Sequence, residues 1–286
     1  MKVFGVVTLY FPPSEIIENI NSYLYGLDGL MIWDNTPEDQ GVLFPLNQLD
    51  SAKTIIRYRR GRNTGIGQAL NEAARCAIRQ EYTHLLTMDQ DSAFLPGEFG
   101  RYLSCIEACK EETYYQFSPT RGKTSSVGNE PVREITDTII SGTITPVSVL
   151  ERLGLFYEDF VMDAIDTEYA LRIRRAGGRI GQVSSVHLTH QVGYPLRKRF
   201  LFWHLESFNY SPMRTYYIAR NFLYLKRLYP EYDCKYILKL FVLRRLVRIV
   251  CIESDKWAKL KALISGTFQG ARGRLTPDLF YEKMRK

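Results

Sequence analysis

Residues 83–92 read THLLTMDQDS, an apolar run that ends in two aspartates. A short apolar run followed at once by polar residues is typical of a buried strand and the turn that leaves it. Asp89 and Asp91 are two residues apart, so both carboxylates can face one crevice at the end of the strand. Such oxygen ligands suit Mg²⁺ or Mn²⁺. A D-x-D pair by itself is more often a solvated turn, but its place at a strand end favours a metal site.

Apolar runs and helical patterns alternate on the N-terminal side of this stretch. Strands are predicted at Val3–Tyr10, Leu30–Trp33, Thr54–Tyr58 and His84–Met88, and helices after a Ser14 cap, from Gly65 to about Gln80, and at Pro96–Glu111. This alternation predicts an α/β fold with a mostly parallel sheet covered by helices on both faces. Ligands of such sheets bind beyond the carboxyl ends of the strands. We therefore expect one crevice lined by Asp34, Asn35, Asn63, Asp89 and Asp91.

The C-terminal side of the chain has a different pattern. Short strands are predicted near Gln116–Pro119, Thr138–Ile144 and Arg179–His187, and a helix over Asp166–Ala176. From about Pro212 the chain is helical and basic. The sequence predicts a catalytic α/β domain over residues 1–211 and a helical extension over residues 212–286.

Two further motifs are candidates for chemistry. The segment Arg62–Gly67 joins a strand to a helix, and its glycines and the helix N-terminus suit a bound anion, although a tight turn explains it equally well. Asp163, Asp166 and Glu168 open a helix. Capping explains one acid there, but three acids after an apolar run make a general base plausible. His190 follows the last predicted strand and is a candidate third metal ligand.

Composition bounds the class and compartment of the protein. With 45% hydrophobic and 24% charged residues among 286, the chain is an ordinary globular protein. No apolar run reaches the roughly 18 residues that a membrane span needs. The N-terminus reads as a strand and not as a secretory signal. The five cysteines form no CxxC pair, which favours reduced thiols. We expect a cytoplasmic protein.

The charge is distributed unevenly along the chain. Residues 1–196 carry 18 Lys and Arg against 24 Asp and Glu, whereas residues 197–286 carry 20 against 7. The net charges are therefore −6 and +13, which argues against a nucleic-acid binder and favours a polyanionic partner for the C-terminal part. The basic segment 235–252, with Arg244, Arg245 and Arg248, is a candidate contact with an anionic membrane surface. Packing on the catalytic domain or an oligomer contact explains it about equally well.

Taken in order, these motifs resemble family 2 glycosyltransferases of the GT-A fold, in the rhamnosyltransferase subgroup. The resemblance covers roughly residues 3 to 225. The matching pieces are Val6–Tyr10, Ile32–Asn35, Asn63–Gly67 with Ala69 and Asn71, Met88–Ser92, Ser141–Thr143, Gly154 with Phe156, Asp163 to Arg172, His190 with Gly193, and Tyr217 with Arg220 and Asn221. Each matching piece is a weak signal by itself, but the combination of all of them in this order is specific to the family.

The resemblance implies a role for each matched position. Thr8 and Tyr10 would border the nucleotide base, Asp34 would contact the base or ribose, and Asn63 and Gly65 would pass near the nucleoside. Asp89 would hold the ribose or the metal, and Asp91 and His190 would bind the metal. Asp166 falls at the position of the catalytic base. Many relatives have an acid before it where this chain has Ile165, which leaves Asp163 and Glu168 as supporting residues.

The resemblance also implies an activity. It is metal-dependent transfer, with inversion, of a sugar from a nucleotide donor to a hydroxyl of a saccharide or polyprenyl-linked saccharide, in bacterial cell-surface polysaccharide synthesis. The subgroup points to L-rhamnose from dTDP-rhamnose, Mg²⁺ or Mn²⁺ as cofactor, and a place at the inner face of the plasma membrane. A UDP-sugar donor (galactofuranose, galactose or glucose) is the alternative. A nucleotidyltransferase would need a basic, glycine-rich loop after the first strand, where residues 10–14 read YFPPS. A non-catalytic binding domain is a further alternative, and the presence of Asp89, Asp91, Asp166 and His190 argues against it.

Overall fold

The computed structural model of the chain describes residues 1–38, 48–49, 54–109, 112–121, 131–190, 195–200, 203–231, 242–273 and 275. The chain divides into two compact units. The first consists of Met1–Glu158 and Tyr169–Gln191, and the second of Asp159–Glu168 and Val192–Lys286. The division predicted between residues 211 and 212 stays a prediction. Gly193, Cys234 and segment 235–241 lie outside the described residues.

The first unit is built on one sheet, which runs in the order β3-β2-β1-β4-β8-β6-β9-β5, with β7 paired to β9. Its strands are β1 (Val3–Leu9), β2 (Gly29–Asp34), β3 (Thr54–Arg59), β4 (His84–Asp89), β5 (Ser92–Phe94), β6 (Tyr114–Arg121), β7 (Val132–Ile135), β8 (Thr143–Pro146) and β9 (Arg179–His190). The strands β1 to β4 are mutually parallel, and β6 is parallel to β9. The predicted α/β fold with a mostly parallel sheet is confirmed.

The apolar runs of the sequence form the middle of this sheet. Every residue of β2 is buried, and β1 is buried except at Thr8. Strands covered on both faces need continuous apolar sequence, which explains why these runs do not alternate with polar residues. The carboxyl ends of β1, β2 and β4 meet at one edge, because Leu9 pairs with Asp34 and Thr8 pairs with Asp89. The polar residues that follow these strands therefore lie along that edge.

Eight helices are described along the chain. They are α1 (Ile16–Leu24), α2 (Ile66–Arg79), α3 (Glu98–Ala108), α4 (Val147–Leu153), α5 (Ile165–Arg175), α6 (Pro212–Leu228), α7 (Arg244–Cys251) and α8 (Lys256–Arg272). Ser14 does not cap α1, which follows Glu15 without a side-chain cap. The predicted strand Thr138–Ile144 is wrong over residues 138–142, where Gly142 has a φ of +78° and turns the chain before β8 begins.

The second unit consists of a hairpin and helices. The strands β10 (Leu196–Phe200) and β11 (Trp203–Ser207) pair antiparallel. Gly266 and Gly270 of α8 lie against the backbone of α6, since a Cβ at Gly266 would be 2.3 Å from the carbonyl oxygen of Tyr216. The two helices can approach this closely only because these positions lack side chains. Among the helices of the described residues, none is long and apolar enough to cross a bilayer.

Candidate active site

Three candidate metal ligands meet at one edge of the first unit's sheet. Asp89 ends β4, Asp91 lies in the turn after it, and His190 ends β9. One ligand atom from each of the three lies within 4.8 Å of the others. The strand β5 brings them together, because Ser92 pairs with His190 across the antiparallel β5–β9 ladder. Two carboxylates and an imidazole in this arrangement are a donor set that fits a divalent cation.

Hydrogen bonds within the group orient the imidazole. The Nδ1 atom of His190 lies 2.7 Å from the hydroxyl of Ser92 and 3.2 Å from Oδ1 of Asp91. The hydrogen bond with Asp91 raises the pKa of His190 above its usual value, and partial burial opposes that shift. Partners of this kind fix the orientation of a histidine ligand. Ser92 thus has a positioning role that the sequence did not assign to it.

Gln90, between the two aspartates, joins the ends of two strands. Its Oε1 accepts a hydrogen bond from the backbone N–H of Tyr10 at 2.8 Å, and its Nε2 donates to the carbonyl oxygen of the same residue at 3.1 Å. The Asn19 side chain donates to the Gln90 carbonyl at 2.9 Å. Tyr10 is exposed and Thr8 is half-buried at this edge. Sequence reasoning missed Gln90, although its place inside the D-x-D motif was a usable signal.

The carboxylate of Asp34 is directed into the protein. It is 2% exposed and lies 3.4 Å from Nη2 of Arg57 and 3.6 Å from Nε of Arg59, and its Oδ1 accepts the backbone N–H of Thr36 at 3.0 Å. Next to it, Trp33 and Tyr58 stack with ring centroids 4.4 Å apart. In this conformation Asp34 positions two arginines of β3. Its predicted contact with the base or ribose stays a prediction.

The turn before α2 is held by the side chain of Asn35. Its Oδ1 accepts hydrogen bonds from the backbone N–H and the hydroxyl of Thr64, each at 3.1 Å, and its Nδ2 donates to the carbonyl of Gly65 at 3.2 Å. Asn63 closes the turn by accepting the N–H of Gly65 at 2.9 Å. Gly65 has a φ of +85°, which explains the glycine at this position. The predicted nucleoside residues Asn63 and Gly65 therefore lie at the N-terminus of a helix.

The second unit contains the three acids that were candidate bases. Asp163 forms a two-point ion pair with Arg214, at 3.0 and 3.2 Å. Glu168 is buried and accepts the hydroxyl of Tyr229 at 2.7 Å. Asp166 is half-buried at the start of α5, where its Oδ1 accepts the backbone N–H of Thr167 at 2.8 Å. Asp163 and Glu168 thus have structural partners in the second unit, and the assignment of Asp166 as the catalytic base stays a prediction.

A dTDP-rhamnosyl transferase, RfbF, of Shigella flexneri is 25% identical to this chain over an alignment of 291 positions, which covers 95% of this chain and 96% of that protein. The fold is also similar to that of solved structures. GalNAc-T7 with UDP, GalNAc and Mn²⁺ has a TM-score of 0.61 at 12% identity, and this chain spans 57% of its length. TarS 1–349 of S. aureus with UDP-GlcNAc has a TM-score of 0.54 at 15% identity, with 99% of this chain and 92% of that chain covered. No protein-family model matches the chain. The predicted resemblance to GT-A glycosyltransferases, rhamnosyltransferases among them, is confirmed.

Proposed function

We propose that this glycosyltransferase of the GT-A fold transfers L-rhamnose from dTDP-rhamnose to a hydroxyl of a saccharide acceptor, in the synthesis of a bacterial cell-surface polysaccharide. The observation that carries the transfer chemistry is the group formed by Asp89, Asp91 and His190 at a strand-end edge. The choice of donor is supported by a dTDP-rhamnosyl transferase that matches this chain over nearly the full length of both proteins.

Asp91 and His190 are the proposed ligands of a divalent cation, and Asp89 holds the ribose or the same cation. When bound, such a cation neutralises negative charge that develops on the departing diphosphate. Mg²⁺ and Mn²⁺ both suit the carboxylates, whereas an imidazole nitrogen favours Mn²⁺ because Mg²⁺ prefers oxygen. Ser92 keeps the imidazole in place through its 2.7 Å contact with Nδ1.

The nucleoside end of the donor is assigned to the neighbouring strand ends. Thr8 and Tyr10 border the base, and Gln90 fixes the backbone of Tyr10 through its two hydrogen bonds. Asn63 and Gly65 pass near the nucleoside. The backbone N–H groups at the N-terminus of α2 favour negative charge there.

Asp166 is the proposed general base. An acceptor hydroxyl has a pKa far above 7, so a carboxylate must take its proton as the oxygen attacks the anomeric carbon. Attack from the face opposite the departing diphosphate inverts that centre, and no second nucleophilic carboxylate is required. Asp166 lies in the first turn of α5, where the helix dipole favours a negatively charged side chain.

The proposed acceptor is a saccharide, free or linked to a polyprenyl carrier, and the proposed location is the cytoplasmic side of an anionic membrane.

The second candidate donor is a UDP-sugar, because TarS and GalNAc-T7, which share the fold, were solved with UDP-GlcNAc and UDP. A nucleotidyltransferase is the least favoured reading, since the loop after β1 contains Pro12 and Pro13.

A donor screen tests these assignments. Purified protein is incubated with dTDP-rhamnose, UDP-galactose, UDP-glucose and UDP-galactofuranose, and nucleoside diphosphate release is measured with Mn²⁺, with Mg²⁺ and with EDTA. We expect release from dTDP-rhamnose that requires metal and is absent in Asp91→Ala. Preference for a UDP-sugar would change the proposed donor but leave the proposed glycosyltransferase activity in place. Metal-independent release, or cleavage to a nucleoside monophosphate, would refute the mechanism.

A further inference from the structure

Two helices of the second unit expose apolar side chains to solvent. On α8 the exposed fractions are 80% for Trp257, 69% for Ile264 and 53% for Phe268. On α7 and the residue before it, Leu243, Leu246, Val247 and Val250 are also exposed. Large apolar residues scattered singly on a surface are normal, but contiguous groups mark an interaction site.

Four exposed residues of α8 form one continuous stripe. Trp257, Lys261, Ile264 and Phe268 are spaced by four, three and four residues, which places them within about 60° of arc at 100° per residue. The stripe is about 16 Å long at 1.5 Å per residue. The opposite face of α8 is fixed against α6 by Gly266 and Gly270. Packing within this unit therefore directs the stripe outward.

The charged residues of these helices are partly inside. Glu253 is fully buried and lies 2.9 Å from Nη1 of Arg245 and 3.0 Å from Nζ of Lys259, both of which are also buried. Arg245 was a candidate contact with an anionic membrane, with internal packing as the alternative, and it is packed inside because its guanidinium is held by Glu253 and by the hydroxyl of Thr215. The two helices thus bury an ion-paired cluster and expose Trp, Phe, Leu and Val. In contact with water the opposite arrangement is favoured, with charged side chains on the surface and apolar side chains inside.

We propose that the stripe of α8, together with the apolar face of α7, is a membrane-docking surface that inserts into the interfacial region of an anionic bilayer. The exposed charges decide between lipid and protein as the occupant. Exposed cations on these helices are Arg244, Lys256, Lys261 and Arg272, whereas Asp255 is the one exposed acid among residues 242–273. Such a surface complements anionic headgroups.

The place of the cations also favours lipid. Lys261 lies inside the apolar stripe, where a protein interface would be depleted of lysine, but where its alkyl chain can lie along the apolar surface with the ammonium group at the headgroups. Arg272 lies over the ring of Phe268 at 3.8 Å and adds a second cation at the end of the stripe. Tryptophan and phenylalanine beside lysine and arginine are typical of helices that lie in a membrane interface. The proposal rests on the proposed function only in that a lipid-linked acceptor would be found at such a surface.

Vesicle binding of the full chain tests this surface without any assay of transfer. Co-sedimentation is measured with vesicles of phosphatidylcholine alone and with phosphatidylglycerol added, at low and high salt. Binding is expected with the anionic vesicles and is expected to weaken at high salt. Each exposed cation is expected to contribute roughly fivefold to the affinity, so Lys261→Gln should lose about that factor. Trp257→Ser combined with Phe268→Ser should abolish binding, whereas the control Leu95→Ser, an exposed apolar residue of the first unit, should bind as the unchanged protein does.

Fluorescence reports on the insertion itself. The chain has three tryptophans: Trp33 is buried in the first unit, and Trp203→Phe removes the second signal, so that the probe of this surface is Trp257. Its emission should shift to the blue on binding and be quenched by brominated lipids. Trp257→Phe should keep binding and lose the quenching. Equal binding to neutral and anionic vesicles, no binding, or a stripe variant that changes only the oligomeric state in sedimentation would overturn the proposal. None of these results bears on donor hydrolysis, so the proposed function is tested separately.

Discussion

Asn221 holds the backbone of Asp163 in a left-handed conformation. Its Nδ2 donates hydrogen bonds to the carbonyl oxygens of Met162 at 2.7 Å and of Asp163 at 3.0 Å, and Asp163 has a φ of +56°. The next residue, Ala164, has a φ of +68°. Two consecutive non-glycine residues in this region are costly and persist only where their surroundings hold them. This loop leads directly into α5, so Asn221 is a positioning residue for the start of the helix that carries Asp166.

The first prediction concerns this support. Asn221→Ala leaves two partly buried carbonyls without their donor and should lower the free energy of unfolding by about 2 kcal/mol. We expect kcat to fall while the KM for the donor is unchanged, because the loop that precedes Asp166 is no longer held. The isosteric Asn221→Asp isolates the loop contacts, since its carboxylate still accepts Nε of Arg220 but faces the two carbonyl oxygens. Steady-state kinetics and thermal unfolding measure both effects, and a raised donor KM at unchanged kcat would contradict the assignment.

The second prediction concerns the metal ligands. Asp91→Ala should bind Mn²⁺ far more weakly in a calorimetric titration and lose turnover by about 10³-fold, because charge on the diphosphate is no longer neutralised. Ser92→Ala should weaken Mn²⁺ binding by about 10- to 100-fold, as expected for a partner that orients a ligand. The thermal stability of Ser92→Ala is the control, because it shows whether the variant is still folded. Full turnover of Asp91→Ala in EDTA is the result that this assignment cannot accommodate.

The third prediction concerns the general base. Asp166→Asn keeps the shape of the side chain and removes its basicity, so turnover should fall by about 10² to 10⁴ while donor binding is retained. Glu168→Gln is the matched control, and its main effect should be on stability because Glu168 is buried against Tyr229. The base would be reassigned if Glu168→Gln abolished turnover in a stable protein and Asp166→Asn did not.

The fourth prediction concerns acid stability. Burial lowers the pKa of His84, the first residue of β4, to about 4. The unfolded chain binds a proton at this histidine near pH 6.5 and the folded chain only near pH 4, so the folded state loses stability as the pH falls between these values. The loss should be about 2 kcal/mol after allowance for the partly exposed ring. In denaturant titrations at pH 7 and pH 4.5, His84→Gln should flatten this dependence. If the dependence of stability on pH were the same in His84→Gln, other groups would be its cause.

The order of strands and helices in the first unit was readable from the sequence because it depends on local pattern. Continuous apolar runs predicted β1 to β4, and Asp89 and Asp91 were placed correctly at a strand end because they directly follow such a run. Elements with a weak local pattern were missed or given the wrong bounds. The three residues of β5 follow the D-x-D turn without an apolar run of their own, and Gly142 interrupts the segment that was predicted as one strand.

Contacts between distant parts of the chain were decided only by the tertiary structure. Ser92 and His190 are 98 residues apart in sequence, and their hydrogen bond exists because β5 pairs with β9. Residue type suggested a solvent-facing cation at Arg245, but its guanidinium lies against Glu253 because α7 packs inward on that side. The exposure of Trp257 follows in the same way from the glycines that seat the opposite face of α8 on α6. A local pattern specifies which face of an element is apolar, whereas only packing specifies which face meets water.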